Sequence, residues 1–168
     1  KGQQGSLQRR MAPKRTRVLS PLPILDEPAL LKFLSEHDIK EVHAPTVWSF
    51  VIKNPDASFQ DLPDTVPKRL GPLLEKHFSF CTSSVVEEAV SADGTLKLVV
   101  RLQDGREVEA VVITHEGRNT LCVSSQIGCA MGCTFCATGA MGIVGDLCAG
   151  EILEQLVHAG RRRPIRWA

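Results

Sequence analysis

Hydrophobic residues at helical spacing mark three short helices in the first half of the chain. Asp26 is a typical N-cap residue and Pro28 fits the first turn, so the first helix begins there. The apolar positions that follow recur every three or four residues, which is the spacing of one buried helix face. A second helix is predicted over 45–53 and a third over 66–78.

The hydrophobic period changes to two after residue 80. Alternating apolar and polar residues lead to Asp93-Gly94 and then to Asp104-Gly105. Because Asp-Gly between alternating segments is a strong hairpin signal, the pattern predicts a β-meander over 83–114.

The last fifty residues follow the order strand, cysteine-rich loop, helix. The strand is predicted over 120–124 and is expected to be buried because of its composition. The helix is predicted over 150–159 and closed by Gly160, with an apolar stripe made of Ile152, Leu153, Leu156 and Val157. A parallel sheet or barrel is built from several such units, and this chain contains one.

Composition excludes a strongly charged or membrane-spanning chain. The 168 residues include 20 Lys+Arg and 19 Asp+Glu, so the net charge of +1 gives little electrostatic attraction to RNA. No apolar run approaches the roughly 18 residues that cross a bilayer. Residues 1–17 hold six basic residues and no acid, and we interpret 1–25 as a disordered basic leader. The alternatives are a transit-peptide remnant and an RNA-contacting arm.

Three cysteines lie within eight residues, at Cys129, Cys133 and Cys136, with the spacing CxxxCxxC. Thiolates are the usual ligands of iron–sulfur clusters, and three of them leave one iron of a 4Fe-4S cubane open to another ligand. The alternative is a zinc site, which needs a fourth ligand. Candidates for that ligand are Cys148, Cys122, His115 and His158.

The residues around these cysteines resemble the radical SAM dual-specificity RNA methyltransferases of the RlmN/Cfr family. The matching strings are CVSSQIGC from Cys122 to Cys129, GCTFCATG from Gly132 to Gly139, and GEILEQL from Gly150 to Leu156. The likeness is weaker upstream. It implies the N-terminal part of such a protein, and the chain ends before the family's Gly-Glu-Pro motif and methyl-carrying cysteine would be met.

The resemblance implies an α/β fold in three parts after the leader. These are a small N-terminal helical accessory domain over 26–80, a β-meander extension over 81–117, and the truncated start of a radical SAM (β/α) barrel core over 118–168. The barrel would be incomplete in this chain, which contains only its first β-loop-α unit.

The resemblance also implies an activity. The family uses a 4Fe-4S cluster and S-adenosyl-L-methionine to methylate C2 of an adenine in ribosomal RNA and in tRNA, through a methyl-cysteine intermediate. Expected partners are therefore rRNA, tRNA and an electron donor such as a flavodoxin or ferredoxin. Such chemistry needs a reducing compartment, either the cytoplasm or a plastid or mitochondrial matrix.

Individual roles carry over by matching positions. Cys129, Cys133 and Cys136 match the cluster ligands, and Phe135 the aromatic residue near the cofactor's adenine. Cys122 matches the resolving cysteine, which forms a disulfide to release the RNA; on its own it would be read as a buried strand cysteine.

Glu109 matches the acid that accepts the C2 proton. The residues themselves do not separate it from Glu107, and only the spacing to Cys122 selects it. We expect Cys81 and Cys148 to be packing residues and His158 to be a surface or cap residue.

Two other classes of function stay open from the sequence. One is an inactive or purely RNA-binding fragment that uses the helical domain and the basic leader. The other is a structural zinc protein.

Overall fold

The computed structural model describes residues 17–55, 57–115, 118–129, 131 and 142–164. Within these residues, the four α-helices are α1 (Glu27–Glu36), α2 (Ala44–Lys53), α3 (Leu70–His77) and α4 (Ala149–Gly160). The eight strands of the same residues are β1 (Leu22–Pro23), β2 (Phe78–Ser79), β3 (Ser84–Val90), β4 (Leu96–Arg101), β5 (Glu107–His115), β6 (Arg118–Cys122), β7 (Gln126–Gly128) and β8 (Ile143–Asp146).

The first helices form where the apolar spacing predicts them. The Asp26 carboxylate accepts the Ala29 N–H at 3.4 Å, which confirms Asp26 as the N-cap of α1. The second helix is also confirmed, as α2. The third is shorter than predicted and begins only at Leu70, because Pro67 disfavours helical geometry at Val66.

The helical unit has its own hydrophobic core. Two-residue strands β1 and β2 pair in parallel beside it. Its largest fully buried side chains are Ile24, Leu30, Leu34, Leu70 and Leu74. Ile24 belongs to the segment predicted to be a disordered leader, and that prediction is wrong for 22–25, which pack against the core. Residues 1–16 lie outside the described part of the chain.

The β-meander is confirmed and gains a fourth strand. β3, β4, β5 and β6 pair antiparallel in sequence order. Gly94 and Gly105 take φ values of 84° and 81° in the two Asp-Gly turns, a conformation that glycine adopts without strain. One sheet face is buried, through Leu96, Leu98, Val100, Val108, Ala110 and Val112.

The strand before the cysteines differs from the prediction. It runs over Arg118–Cys122 instead of 120–124, and its residues are exposed or half-buried. The burial prediction fails because, among the described strands, this one lies at the edge of the four-stranded sheet and has β5 as its single neighbour. The sequence predicts that β6 begins the core, whereas in the structure it continues the sheet of the meander.

A short antiparallel pair, β7 with β8, and the helix α4 complete the described chain. The side of α4 that faces inward carries polar residues, and Glu151, Glu154, Gln155 and His158 are all buried. The prediction that His158 is a surface or cap residue is therefore wrong. Leu153, which was expected in the buried stripe, is 38% exposed.

Helices and sheets together agree with the expected α/β class. Within the described residues the only parallel pairing is β1 with β2, and the arrangement of the parts around a (β/α) barrel stays a prediction. None of the described helices has the length and apolar content to cross a membrane.

Candidate active site

Glu109 and Cys122 lie on the same outer face of the sheet. The β5–β6 register places Cys122 opposite Val111, and Glu109 precedes Val111 by two residues. Side chains two residues apart in a strand point to the same face. Both Glu109 and Cys122 are exposed, so the alternative of a buried strand cysteine is wrong for Cys122.

Lys97 is an additional residue on this face that the sequence did not single out. Its Nζ lies 3.2 Å from Oε1 of Glu109. The β4–β5 register puts Lys97 opposite Val111, in the same cross-strand row as Cys122 and diagonal to Glu109, which pairs with Val99. Because both partners are largely exposed, the ion pair contributes about 1 kcal/mol or less to stability. The Asp104-Gly105 turn is the sequence signal that sets the β4–β5 pairing. From that pairing the position of Lys97 beside Glu109 could have been predicted.

Glu107 shares the outer face but has a different partner. Its Oε1 lies 2.9 Å from Nη2 of Arg101, which is directly opposite in β4. Glu109 is the nearer of the two acids to Cys122 along β5. The structure thus gives each acid its own cation, and the choice of Glu109 as the reactive acid stays a prediction.

An open cleft of about 370 Å³ lies between the outer face and the segment that leads into the cysteine loop. Ligand pockets in proteins typically measure about 300–1,000 Å³, so the cleft is large enough for a small group. Its lining includes acidic and basic side chains. The lining residues are Glu87, Lys97, Val99, Glu107, Val108, Glu109, Ser124, Gln126 and Gly128. Glu109, the predicted base, therefore lies in a concave, polar cleft.

The cysteine loop is closed at its base by a backbone contact that requires glycine. Gly128 has a φ of 78°, and a Cβ added there would lie 1.9 Å from the carbonyl oxygen of Gly142. The next residue, Cys129, donates its N–H to that same oxygen at 3.1 Å. The β7–β8 pairing thus holds the two ends of the loop together.

Cys129 is positioned at the start of this loop as a free, half-buried thiol. The backbone N–H of Met131 donates to its sulfur at 3.4 Å. Hydrogen bonds to the sulfur ligands are one of the ways in which proteins tune iron–sulfur clusters, so this position fits a cluster ligand. Cys133, Phe135 and Cys136 lie outside the described residues.

Helix α4 holds the connection between Cys122 and Cys129. The fully buried Gln155 accepts the Ser124 N–H at 2.9 Å through Oε1 and donates through Nε2 to the Ser124 carbonyl at 2.8 Å. The Ser124 hydroxyl in turn donates to the Glu109 carbonyl at 2.8 Å. One chain of hydrogen bonds thereby links α4, the segment before the loop and the strand of the predicted base.

Comparisons with known proteins show the family to which the chain is similar. No protein-family model matches the chain. It is 40% identical over 135 residues to a probable dual-specificity RNA methyltransferase RlmN from Rhodopirellula baltica, covering 80% of this chain and 36% of the relative. It is 41% identical over 130 residues to a probable RlmN 2 from Opitutus terrae, covering 77% of this chain and 30% of the relative.

A solved structure gives the same result. The crystal structure of a radical SAM methyltransferase from Sphaerobacter thermophilus superposes with a TM-score of 0.68 at 32% identity, over 84% of this chain and 42% of that one. The fold and sequence therefore place the chain among radical SAM methyltransferases. Within that class, the matched residues belong to the dual-specificity RNA methyltransferase RlmN family. The chain spans about 30–42% of the length of these proteins.

Proposed function

We propose that this chain carries the cluster-binding loop, the proton acceptor and the resolving cysteine of an RNA methyltransferase that acts on C2 of adenine in rRNA and tRNA. The supporting observation is that Glu109 and Cys122 share one exposed sheet face, next to the segment that leads to Cys129. RlmN relatives and a radical SAM methyltransferase structure support the class of reaction.

Cys129, Cys133 and Cys136 would hold the 4Fe-4S cluster. With S-adenosyl-L-methionine bound beside Phe135, the cluster would supply the one-electron chemistry that starts methyl transfer. The free thiol of Cys129 and the N–H aimed at its sulfur suit this role.

Glu109 would take the proton from C2 of the adenine. A general base must reach the proton within hydrogen-bond distance, and an exposed carboxylate that lines a cleft is open to a large RNA substrate. Lys97 Nζ, 3.2 Å from Oε1 of Glu109, places a positive charge beside the carboxylate, and both side chains line the same cleft.

Cys122 would release the RNA. Its sulfur would attack the sulfur of the methyl-carrying cysteine, so that a disulfide forms while the bond between that sulfur and the RNA-linked carbon breaks. The carbon keeps the electron pair and takes up a proton to become the methyl group. The exposed position of Cys122 allows a second thiol to approach it.

The chemistry assigns the remaining partners by class. An external electron donor such as a flavodoxin or ferredoxin would reduce the cluster. A reducing compartment, the cytoplasm or an organelle matrix, would keep the thiols free.

Cluster reconstitution tests the central part of this proposal. The chain, incubated anaerobically with iron and sulfide, should hold four irons and four sulfides, as a 4Fe-4S cluster requires. Alanine at Cys129, Cys133 or Cys136 should abolish this, whereas Cys148→Ala should not. Stoichiometric zinc without sulfide would contradict the proposal.

The two acids are tested in a full-length context. The matched segment of the Rhodopirellula baltica relative is replaced by that of this chain, and 2-methyladenosine is measured in rRNA and tRNA. Glu109→Gln should lower the rate about 100-fold or more, since a general base contributes that much, while Glu107→Gln should leave it near that of the parent chimera. The reverse pattern would assign the base to Glu107.

A further inference from the structure

A second group of ligand-type side chains lies away from the cysteine loop. Cys81, Glu154 and His158 place one sulfur, oxygen or nitrogen donor each within 4.8 Å of one another. Cys81 follows the helical unit, and the other two residues lie on α4. The Cys81 sulfur is 3.4 Å from Nε2 of His158, and the Ser83 hydroxyl is 3.0 Å from the same nitrogen.

Two of the three donor residues lie on one face of α4. Residues four apart lie on the same helix face, so Glu154 and His158 point together toward residues 81–83. Their side chains are 0% and 4% exposed. In the described part of the chain, Glu154 has no lysine or arginine in ion-pair distance, although a buried carboxylate is normally paired or bound to a metal.

The Glu154 carboxylate is held firmly in its orientation. It accepts the Thr82 N–H and hydroxyl at 2.8 and 3.0 Å and the Ser83 N–H at 2.9 Å, together with the Ser83 hydroxyl. Ligating carboxylates in metal sites are themselves hydrogen-bonded in this way, which fixes their direction.

Burial favours the neutral form of the two other donors. Burial, with help from the charges of Arg161 and Arg162, lowers the pKa of His158 to about 4, so its imidazole is neutral at pH 7 and able to bind a metal. Burial and the nearby Glu154 raise the pKa of Cys81 to about 11, so the thiol keeps its proton until a metal displaces it.

We propose that Cys81, Glu154 and His158 form a zinc site that fastens α4 to residues 81–83, separate from the cluster-binding cysteines. A thiolate, an imidazole and a carboxylate are the ligands that Zn²⁺ takes, and water or the Ser83 hydroxyl completes four. Tetrahedral bonds of about 2.0–2.3 Å separate ligands by about 3.3–3.8 Å, so the Cys81–His158 spacing fits as it stands. The three donor atoms all lie within 4.8 Å of one another, so rotation of the Cys81 side chain toward the fixed Glu154 carboxylate brings the set to bonding distance.

Binding is an exchange of one proton for one metal ion. Zn²⁺ displaces the proton of the Cys81 thiol, which passes to solvent, and no electron is transferred. The half-buried Cys81 provides the entry path. The thiolate and carboxylate charges of Cys81 and Glu154 balance the charge of the bound ion.

The test uses the full chain with Cys129, Cys133 and Cys136 replaced by alanine, so that the loop cannot bind metal. Cobalt(II), a spectroscopic substitute for zinc, should bind at one equivalent and produce a thiolate-to-cobalt absorption band. Cys81→Ser should remove the band and weaken binding at least 100-fold, whereas Cys148→Ser should change neither.

Stability provides an independent readout. Zn²⁺ should raise the melting temperature of the triple-alanine chain and release one proton per ion, and it should do neither in the Cys81→Ser variant, whose fold is checked by circular dichroism. Absence of cobalt binding, or equal binding by Cys81→Ser, would overturn the zinc site. Neither result affects the proposed iron–sulfur cluster, which is measured on the unmodified loop.

Discussion

The side-chain amide of Gln155 holds the backbone of Ser124 by both of its polar groups, at 2.8 and 2.9 Å. Gln155 is fully buried on α4, and Ser124 lies between the predicted resolving cysteine and the first predicted cluster ligand. Ser124 lies beyond the end of β6, where its backbone has no neighbouring strand to bond within the described part of the chain. The Gln155 amide supplies these hydrogen bonds instead. α4 therefore fixes the path that brings the chain from Cys122 to the cysteine loop.

Replacing Gln155 by leucine keeps the volume and removes both hydrogen bonds. Two backbone groups are then left without partners, so we expect the free energy of unfolding to fall by about 2–4 kcal/mol. Urea denaturation measures this. The control is Leu153→Ala on the same helix, which should cost less than about 1 kcal/mol because that side chain is 38% exposed. Equal effects of the two substitutions would show that the amide does not hold the segment.

Local signals in the sequence account for much of the fold. Asp26 and Pro28 set the start of α1, and the two Asp-Gly turns set the β-meander. These features depend on residues a few positions apart, which periodicity detects. The β7–β8 pair joins strands across the cysteine loop, and no short-range pattern reports such pairing.

The orientation of α4 shows why the remainder was not predictable. An apolar stripe was expected to face inward, but Leu153 is exposed while Glu151, Glu154 and Gln155 are buried. These polar groups are stabilised by partners distant in sequence, such as Thr82 and Ser124. Periodicity scores them as solvent-facing because it cannot see those partners.

Only part of the candidate site could be predicted from the sequence. Spacing and family likeness indicated Glu109 and Cys122, and strand register then placed them on one face. The sequence does not indicate Lys97, because its position beside Glu109 depends on the pairing of β4 with β5.

The glycine at the base of the cysteine loop should be essential. Gly128→Ala combines a left-handed φ with a Cβ only 1.9 Å from the Gly142 oxygen, so the β7–β8 pair must separate. We expect a loss of at least about 2 kcal/mol in unfolding free energy and a reduced iron content after reconstitution.

Gly105 is the matched control for this substitution. It has nearly the same backbone conformation, with a φ of 81°, but nothing lies within 4 Å of an added Cβ. Gly105→Ala should therefore cost about 1–2 kcal/mol and leave the iron content unchanged. Normal iron content in Gly128→Ala would argue against a role for this contact in cluster binding.

Arg17 should contribute to stability although the sequence pattern predicts a disordered leader at this position. Its side chain, 7% exposed, lies 2.7 Å from Oε2 of buried Glu151 and 2.6 Å from Oδ2 of Asp104. Arg17→Met leaves Glu151 buried without its cation, a loss of about 3–5 kcal/mol in unfolding free energy. Lys32→Met is the control, since its exposed pair with Glu36 is worth about 0.5 kcal/mol or less. Matching melting curves for both variants would exclude Arg17 from the folded unit.

The thiols should differ widely in reactivity. Cys122 is exposed on the edge strand, whereas burial and the nearby Asp26 raise the pKa of Cys148 to about 12. At pH 8 only about one Cys148 in ten thousand would be a thiolate, and the thiolate is the form that reacts. Iodoacetamide should therefore modify Cys122 well before Cys148, as peptide mass spectrometry over a time course would show. In urea the two should react alike, because unfolding removes the burial. Fast modification of Cys148 in the folded chain would mean that its site is open to solvent, and slow modification of Cys122 would contradict its proposed role as the accessible resolving thiol.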